Sequence, residues 1–441
     1  MARSFGPIGI AALLVLGGLN ACVAPTRSLP MRGGSGVGSG RDPIVQPIAR
    51  PNRPAPLELR RTVDVILSTV ESEPKVTVVS QPNGQVTVAR TPNGIIAEGS
   101  GRPPVQGLLV PGPVRIGEVL HGGDVRFVPG PSGGLRAIAR LPLDTYIAAV
   151  VAAEIPLWSA EPAELEAQAI AARTFALHTL RTRAAAGEPA ELLDGVLDQA
   201  YHGSYEPGTA AGAQRAAARL ADAVRATAGL CLMRGDSLEE ARYHASCGGH
   251  TATFEDIFAS EVASRGAKGP IGVRCPSCER RAKEESVRRA PDPERPLGWV
   301  TELDPHALAV LGKALGLSGR VSRLFPVKRD RGGRWLEVQV EGPNPADSRR
   351  VTFEALRNAA GYSVLKGATI GTTLPRPGDP IPQGTTLRLQ GRGRGHGVGL
   401  CQESLRELAR TGWTSNQILR HYYPGARTVR LPDASGTAPQ P

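Results

Sequence analysis

Aromatic side chains are scarce in this chain: 4 Trp, 7 Tyr and 7 Phe among 441 residues. A surface that stacks successive bases on many rings is therefore excluded. No apolar run reaches the roughly 18 residues of a membrane-spanning helix, which excludes a polytopic membrane protein. Lysine is rare too, at only six of the 52 basic positions. With 41 acidic residues the net charge is +11. That sign suits nucleic acid, an anionic membrane surface or an anionic polymer. An arginine-biased, solvated surface accounts for it equally well, so charge selects no partner. Glycine (53) and proline (39) are abundant instead, and turns and linkers follow from them. A hydrophobic share of 41% is enough for a real core. At about 150 residues per domain, the length suggests two or three domains.

The N-terminus reads as an export signal. Met1-Ala2-Arg3 is a short positive start, and Ile8 to Leu19 is apolar and rich in Ala, Leu and Gly. It runs into Leu19-Asn20-Ala21-Cys22, which resembles a bacterial lipoprotein signal, with Cys22 lipidated and residues 1–21 removed. Asn20 departs from the usual small residue, and an ordinary secretory signal is the alternative. Val23 after the cysteine resembles sorting to the outer membrane of a two-membrane bacterium, facing the periplasm. An exported chain argues against a nucleic-acid partner. With Cys22 lipidated, Cys231, Cys247, Cys275, Cys278 and Cys401 remain. An odd number in an oxidising compartment leaves at least one thiol free, metal-bound or paired between chains.

Residues 22–56 read as a Pro/Gly-rich tether, 57–134 as a β-rich region, 135–430 as the main body and 431–441 as a disordered tail. The runs "TVDVILSTV", "KVTVVS" and "QVTVAR" are short and β-branched, and Asn83-Gly84 between the last two is a hairpin signal. The segments 144–155, 162–187 and 212–229 have helical spacing. Asp144 is a candidate cap for the first helix, Pro156 ends it and Gly187 stops the second. "LCLMRG" and "ARYHASCGG" read as strands around a turn at Gly235-Asp236, residues 280–300 as a charged loop, and "NQILRHYYPGA" as a turn. "TFEALRNAAGY", capped by Thr352, and "ESLRELARTG" read as helices. The class is α+β: a β-rich N-terminal part, central helices and a Gly-rich C-terminal segment.

Three segments carry chemistry. In "LPLDTYIAAVVAAEIP" (141–156), Glu154 follows a run of small and apolar residues. Packed there, its carboxyl is desolvated and its pKa rises, as a general acid for glycosidic cleavage requires. A solvated helix-end glutamate is the plain alternative. His244-x-x-Cys247 with Cys275-x-x-Cys278 is a plausible ligand set for structural zinc, with His250 as an alternative ligand. A disulfide of Cys275 with Cys247 or Cys278 is the competing reading. "GRGRGHGVGLCQ" (391–402) has glycines at alternating positions, which lets backbone approach a ligand and offers His396 and Gln402. It lacks the ending of a phosphate loop and the surroundings of a dinucleotide fingerprint. A tight glycine corner around a structural histidine is the alternative.

Together "LPLDTYIAAVVAAEIP", "LEAQAIAARTFAL", "YHASCGGHTATFEDIF", "TFEALRNAAGYSVLKGA" and "GRGRGHGVGLCQ…LRHYYPGA" resemble the SpoIID/LytB family of bacterial cell-wall proteins, in the family's order over residues 135–430. The resemblance implies a SpoIID-like body that acts on peptidoglycan glycan strands freed of stem peptides. It implies a lytic transglycosylase in which Glu154 is the catalytic acid and the product is a 1,6-anhydro-N-acetylmuramic end. Gln168 and Arg173 match the family's "AQA-x-AART" segment as residues that support the site or contact sugar. Tyr201, His244, His396 and Gln402 are further cleft candidates by the same carry-over. Cys247 and Cys401 depart from many relatives, and Cys275-x-x-Cys278 is not general in the family. Cys247, Cys275 and Cys278 are therefore preferred over His244 as metal ligands. The family also includes enhancers of a cell-wall amidase, so a non-catalytic glycan binder with an amidase partner is the second reading. Sporulation, division and general wall remodelling are equally compatible processes.

Overall fold

The computed structural model describes residues 59–195, 197–288, 297–344 and 346–432. The expected signal, Cys22 and tether lie outside the described residues, as does most of the expected tail. The class is mixed α+β. No helix among the described residues is long and apolar enough to cross a membrane.

The β-branched runs alternate buried and exposed residues and build two five-stranded sheets. In one, Thr62–Leu67 pairs antiparallel with Leu135–Pro142, from Thr62 opposite Pro142 to Leu67 opposite Ala137. In the other, Lys75–Ser80 and Gly84–Thr91 form the hairpin expected at Asn83-Gly84, with Gly84 at φ +70°. Because residues 62–67 lie beside 135–142, one hydrophobic core runs across residue 135 without a break.

Leu135–Pro142 leads directly into helix α1 (Leu143–Glu154). Tyr146, Ile147, Val150 and Val151 bury one face, and the helix ends at Glu154, just before Pro156. Asp144 is not its cap. Pro142 holds that position, and Asp144 sits in the first turn, where its carboxylate pairs with Arg173. Helix α2 (Pro162–Ala185) starts at Pro162 with a reciprocal Glu161/Glu164 capping box and stops before Gly187, at φ +73°. It is the central post: its side chains are largely buried from Glu164 to Leu177. Helix α3 (Ala211–Ala226) packs on it. The strand Leu230–Arg234 turns at Gly235-Asp236 and pairs with Ser237–Leu238. The expected partner segment instead supplies Tyr243–His244, which runs parallel to Leu400–Cys401.

Two short helices, α4 (Phe254–Ile257) and α5 (Ala259–Arg265), precede α6 (Pro276–Arg288). Part of the expected loop at 280–300 is therefore helix. Pro276 suits a helix start, and Lys283–Glu279 and Arg280–Glu284 are pairs four apart on its surface.

Residues 297–393 form a lobe with its own core around Trp299, Leu308, Trp335, Val338 and Leu389. It contains α7 (Pro305–Ala314) and α8 (Phe353–Ala360), the latter capped by Thr352 as expected. The chain then returns through Leu400–Cys401 to α9 (Gln402–Arg410) and α10 (Ser415–Tyr422). The expected turn at the last segment is a helix because Thr414 and Gln417 form a capping box. Tyr422 and Tyr423 close the first core.

Candidate active site

Glu154 stands at the C-terminal end of α1, half-buried. Its Oε2 accepts a hydrogen bond from Gln402 Nε2 at 2.9 Å. Its Oε1 faces the backbone N–H of Ala200 at 3.4 Å. Desolvation raises the carboxyl above the ordinary glutamate range. The Gln402 and Ala200 donors and the charge of His202 oppose that rise without cancelling it. None of these groups is a carboxylate. Behind them, Tyr243 donates to Gln199 Oε1 at 2.8 Å, and Gln199 Nε2 donates to the Tyr146 hydroxyl at 3.1 Å. This chain of contacts holds the 199–200 loop against α1.

The structure therefore joins two expected site residues, Glu154 and Gln402. Three others are displaced from the surface. Gln168 is fully buried in α2, and neither end of its amide has a partner among the described residues. Arg173 is also fully buried. Its guanidinium donates to the carbonyl of Thr227 at 2.8 Å and to Asp144 at 3.0 Å, tying α1 to the end of α3. Tyr201 is 3% exposed, 3.0 Å from His121 Nδ1 and stacked on Tyr146. None of the three can touch a sugar in this structure. Arg173 links α1 to the end of α3 from inside the core, and Tyr201 belongs to the core because its ring packs against Tyr146 of α1.

Part of the Gly-rich segment packs against its own chain, and part borders a cavity. Gly397 and Gly399 have φ +87° and +73°. A Cβ on the first would lie 2.6 Å from Arg334 Nη2, and one on the second 2.0 Å from the carbonyl oxygen of Arg242. His396 accepts from the backbone N–H of Val398 at 3.1 Å and lies between the rings of His244 and Phe258. It lines a cavity of about 660 Å³ with Phe175, Arg242, Phe258 and Arg357. Glu154 is not in that wall. Leu197 and Asp198, just before the 199–200 loop, do line it, and Phe175 in its wall meets Tyr243 edge-on, whose hydroxyl reaches Gln199.

The cysteines resolve differently from the expected set. The sulfurs of Cys247, Cys275, Cys278 and Cys401 all lie within 4.8 Å of one another, fully buried. The fourth place belongs to Cys401, not to His244. His244 Nδ1 donates to the carbonyl of Val398 at 3.1 Å, and burial pulls its pKa down to about 4. Among the described residues, no cysteines are joined in a disulfide. Cys278 and Cys401 sulfurs are 3.6 Å apart, too far for a bond of about 2.05 Å. Four clustered sulfurs are the residues that could hold a soft or borderline metal ion.

Sequence reasoning missed the Ala200 amide, the Gln199–Tyr243 link and Cys401 as a cluster member. A backbone donor has no residue-type signature. Tyr243 and Cys401 do stand directly beside His244 and Gln402, and adjacency to those two candidates is the signal that could have found them.

The profile of the SpoIID family, described as "Stage II sporulation protein", matches residues 131–233, the stretch that holds α1 and α2. Stage II sporulation protein D of Bacillus subtilis (strain 168) is 26% identical over 297 residues, covering 66% of this chain and 76% of that one. Stage II sporulation protein D of Bacillus amyloliquefaciens is 24% identical over 294 residues, covering 66% and 74%. The chain is thus similar to the SpoIID family over residues 131–233 and to two stage II sporulation proteins over about two thirds of its length, a likeness that points to work on the cell wall.

Proposed function

We propose that the protein is a lytic transglycosylase that cuts the glycan strands of peptidoglycan, with Glu154 as its single acid–base group. The observation that carries this reading is the setting of Glu154: half-buried, raised in pKa, held by Gln402 and Ala200, and with no second carboxylate among the groups acting on its charge.

In the first half-reaction the Glu154 carboxyl gives its proton to the bridging O4 as the C1–O4 bond of N-acetylmuramic acid breaks. The resulting carboxylate then takes the proton of the same sugar's 6-hydroxyl as that oxygen bonds to C1. The product is a 1,6-anhydro end, Glu154 regains its proton, and no water is consumed. One carboxylate therefore serves where ordinary glycosidases use two. Gln402 orients the carboxylate and stabilises its ionised form between the two steps. The substrate is glycan freed of stem peptides. A lipid on Cys22 anchors the protein at the outer membrane, and residues 22–56 let the body reach the wall.

The test incubates the full chain with purified peptide-free glycan, beside Glu154→Gln, and reads products by mass spectrometry. Anhydro ends made by the wild type and lost in the variant are expected. Glycan binding by both without cleavage would overturn the reading in favour of an enhancer of a cell-wall amidase.

A further inference from the structure

We propose that Cys247, Cys275, Cys278 and Cys401 bind one zinc ion as a closed four-thiolate centre that fixes Gln402 against Glu154. The inference concerns the folded chain and stands whether or not the chain cuts glycan.

The four sulfurs have the spacing of such a site. Zinc–sulfur bonds of about 2.3 Å in a tetrahedron place sulfurs about 3.8 Å apart. Here Cys278 and Cys401 are 3.6 Å apart, and all four sulfurs lie within 4.8 Å. Each sulfur also has a polar group in reach. The N–H of Gly249 donates to Cys247 Sγ and that of Cys247 to Cys401 Sγ, both at 3.4 Å. The Tyr422 hydroxyl is 3.3 Å from Cys275 Sγ and the Ser246 hydroxyl 3.9 Å from Cys278 Sγ. N–H donors to Cys247 and Cys401, and hydroxyls beside Cys275 and Cys278, are surroundings that suit thiolates bound to a metal. Binding converts four thiols and Zn²⁺ into a tetrathiolate complex and releases four protons. All four coordination positions are then filled by protein, so the centre has no open position for water or substrate and its work is structural.

Its place in the fold gives that work a direction. Cys247 follows the strand Tyr243–His244, Cys275 and Cys278 open α6, and Cys401 ends the strand Leu400–Cys401. The next residue, Gln402, begins α9 and carries the amide that reaches Glu154 at 2.9 Å. The backbone there is tied to the same segments: Tyr243–His244 pairs with Leu400–Cys401, and Glu403 N–H donates to Ala245 at 2.9 Å. Ion pairs Arg280–Glu407 and Arg281–Glu403 join α6 to α9. Gln402 is thus a positioning residue, and the metal centre sets where it stands.

The test purifies the full chain with zinc under reducing conditions. One zinc per chain is expected, released as a mercurial consumes four thiols in step. Cobalt(II) in its place should give the visible bands of a tetrahedral ion bound by four sulfurs. Cys231→Ser should keep one equivalent of zinc and Cys401→Ser should lose it. Should Cys401→Ser fail to fold, the cobalt spectrum of the wild type decides the ligand set. Hydrogen exchange read by mass spectrometry then tests positioning. Zinc removal should speed exchange at residues 400–404 and at 151–156, and leave 62–67 unchanged. No bound zinc, or a spectrum of three sulfurs and one nitrogen, overturns the centre. Faster exchange confined to the cysteine segments overturns its hold on Glu154.

Discussion

The amide of Gln402 donates to Oε2 of Glu154 at 2.9 Å, a contact between residues 248 positions apart. A donor to a carboxylate favours the ionised form, so this bond restrains the rise that burial imposes. Gln402→Leu removes the donor and leaves the burial. The pKa of Glu154 should rise further, and the alkaline limb of the pH–rate profile for anhydro-end formation should move to higher pH. An unmoved limb would mean that the bond does not act on the carboxyl in solution.

The same burial links Glu154 to stability. A carboxyl whose folded pKa lies above its unfolded value binds more protons in the folded state between the two, so stability falls as pH rises through that window. Above it the penalty is constant. Glu154→Gln carries no such charge and should melt at a higher temperature than the wild type at pH 7. The difference should shrink at pH values below the ordinary glutamate range. Calorimetry across that series checks both the sign and the window. The rate of glycan cleavage should fall about 10²- to 10⁴-fold in the same variant.

Arg173 separates a supporting role from a sugar contact. Arg173→Met leaves the carbonyl of Thr227 without its 2.8 Å donor and cuts the link to Asp144. Asp144 is half exposed and returns to water, so the cost comes from the buried carbonyl and the lost packing rather than from a stranded charge. About 2–4 kcal/mol of destabilisation is expected by denaturant unfolding. The fraction that stays folded should keep its KM for glycan. A raised KM with unchanged stability would return Arg173 to the cleft.

Two glycines with nearly the same backbone conformation should respond differently to alanine. At Gly84 (φ +70°) an added Cβ would have nothing within 4 Å, whereas at Gly399 (φ +73°) the Arg242 carbonyl oxygen would be 2.0 Å away. Gly84→Ala should cost about 1 kcal/mol, the backbone strain alone. Gly399→Ala should cost about 3 kcal/mol or more, because the main chain at Arg242 must move. Equal costs, measured by denaturant unfolding, would show that the 399 turn has room the structure does not give it.

How far the residues foretell this arrangement depends on how local each signal is. The helix ending at Glu154 is legible because an apolar run meets Pro156 within one segment. The second helix is legible because its capping residues and Gly187 bracket it. The helix at 276–288 is obscured by its charges, which read as loop until the pairs Glu279–Lys283 and Arg280–Glu284 are placed four apart. Ser415–Tyr422 is obscured by the Tyr-Tyr-Pro at its end. The cysteine set fails at one position for a long-range reason. His244 and Cys401 are register partners in a parallel pair, and spacing along the chain cannot say which of two paired residues joins the cluster. Gln168, Arg173 and Tyr201 are expected in the cleft on residue type, yet α2 is enclosed by its neighbours and offers its two no solvent, and Tyr201 is packed against Tyr146 of α1.

The lobe between α6 and the Gly-rich segment begins and ends at one place. Gly298 is paired with Arg392, and the N–H of Gly393 donates to the carbonyl of Leu297 at 3.1 Å. The chain therefore leaves the first core and comes back to it through adjacent backbone. Whatever is threaded between those two points leaves the gap across which they meet unchanged, and closure entropy grows only slowly with added length. Surface turns of this stretch are where the architecture tolerates growth or shortening, while Arg334, which donates to the carbonyls of Cys247 and His250, keeps the lobe fastened beside the four sulfurs.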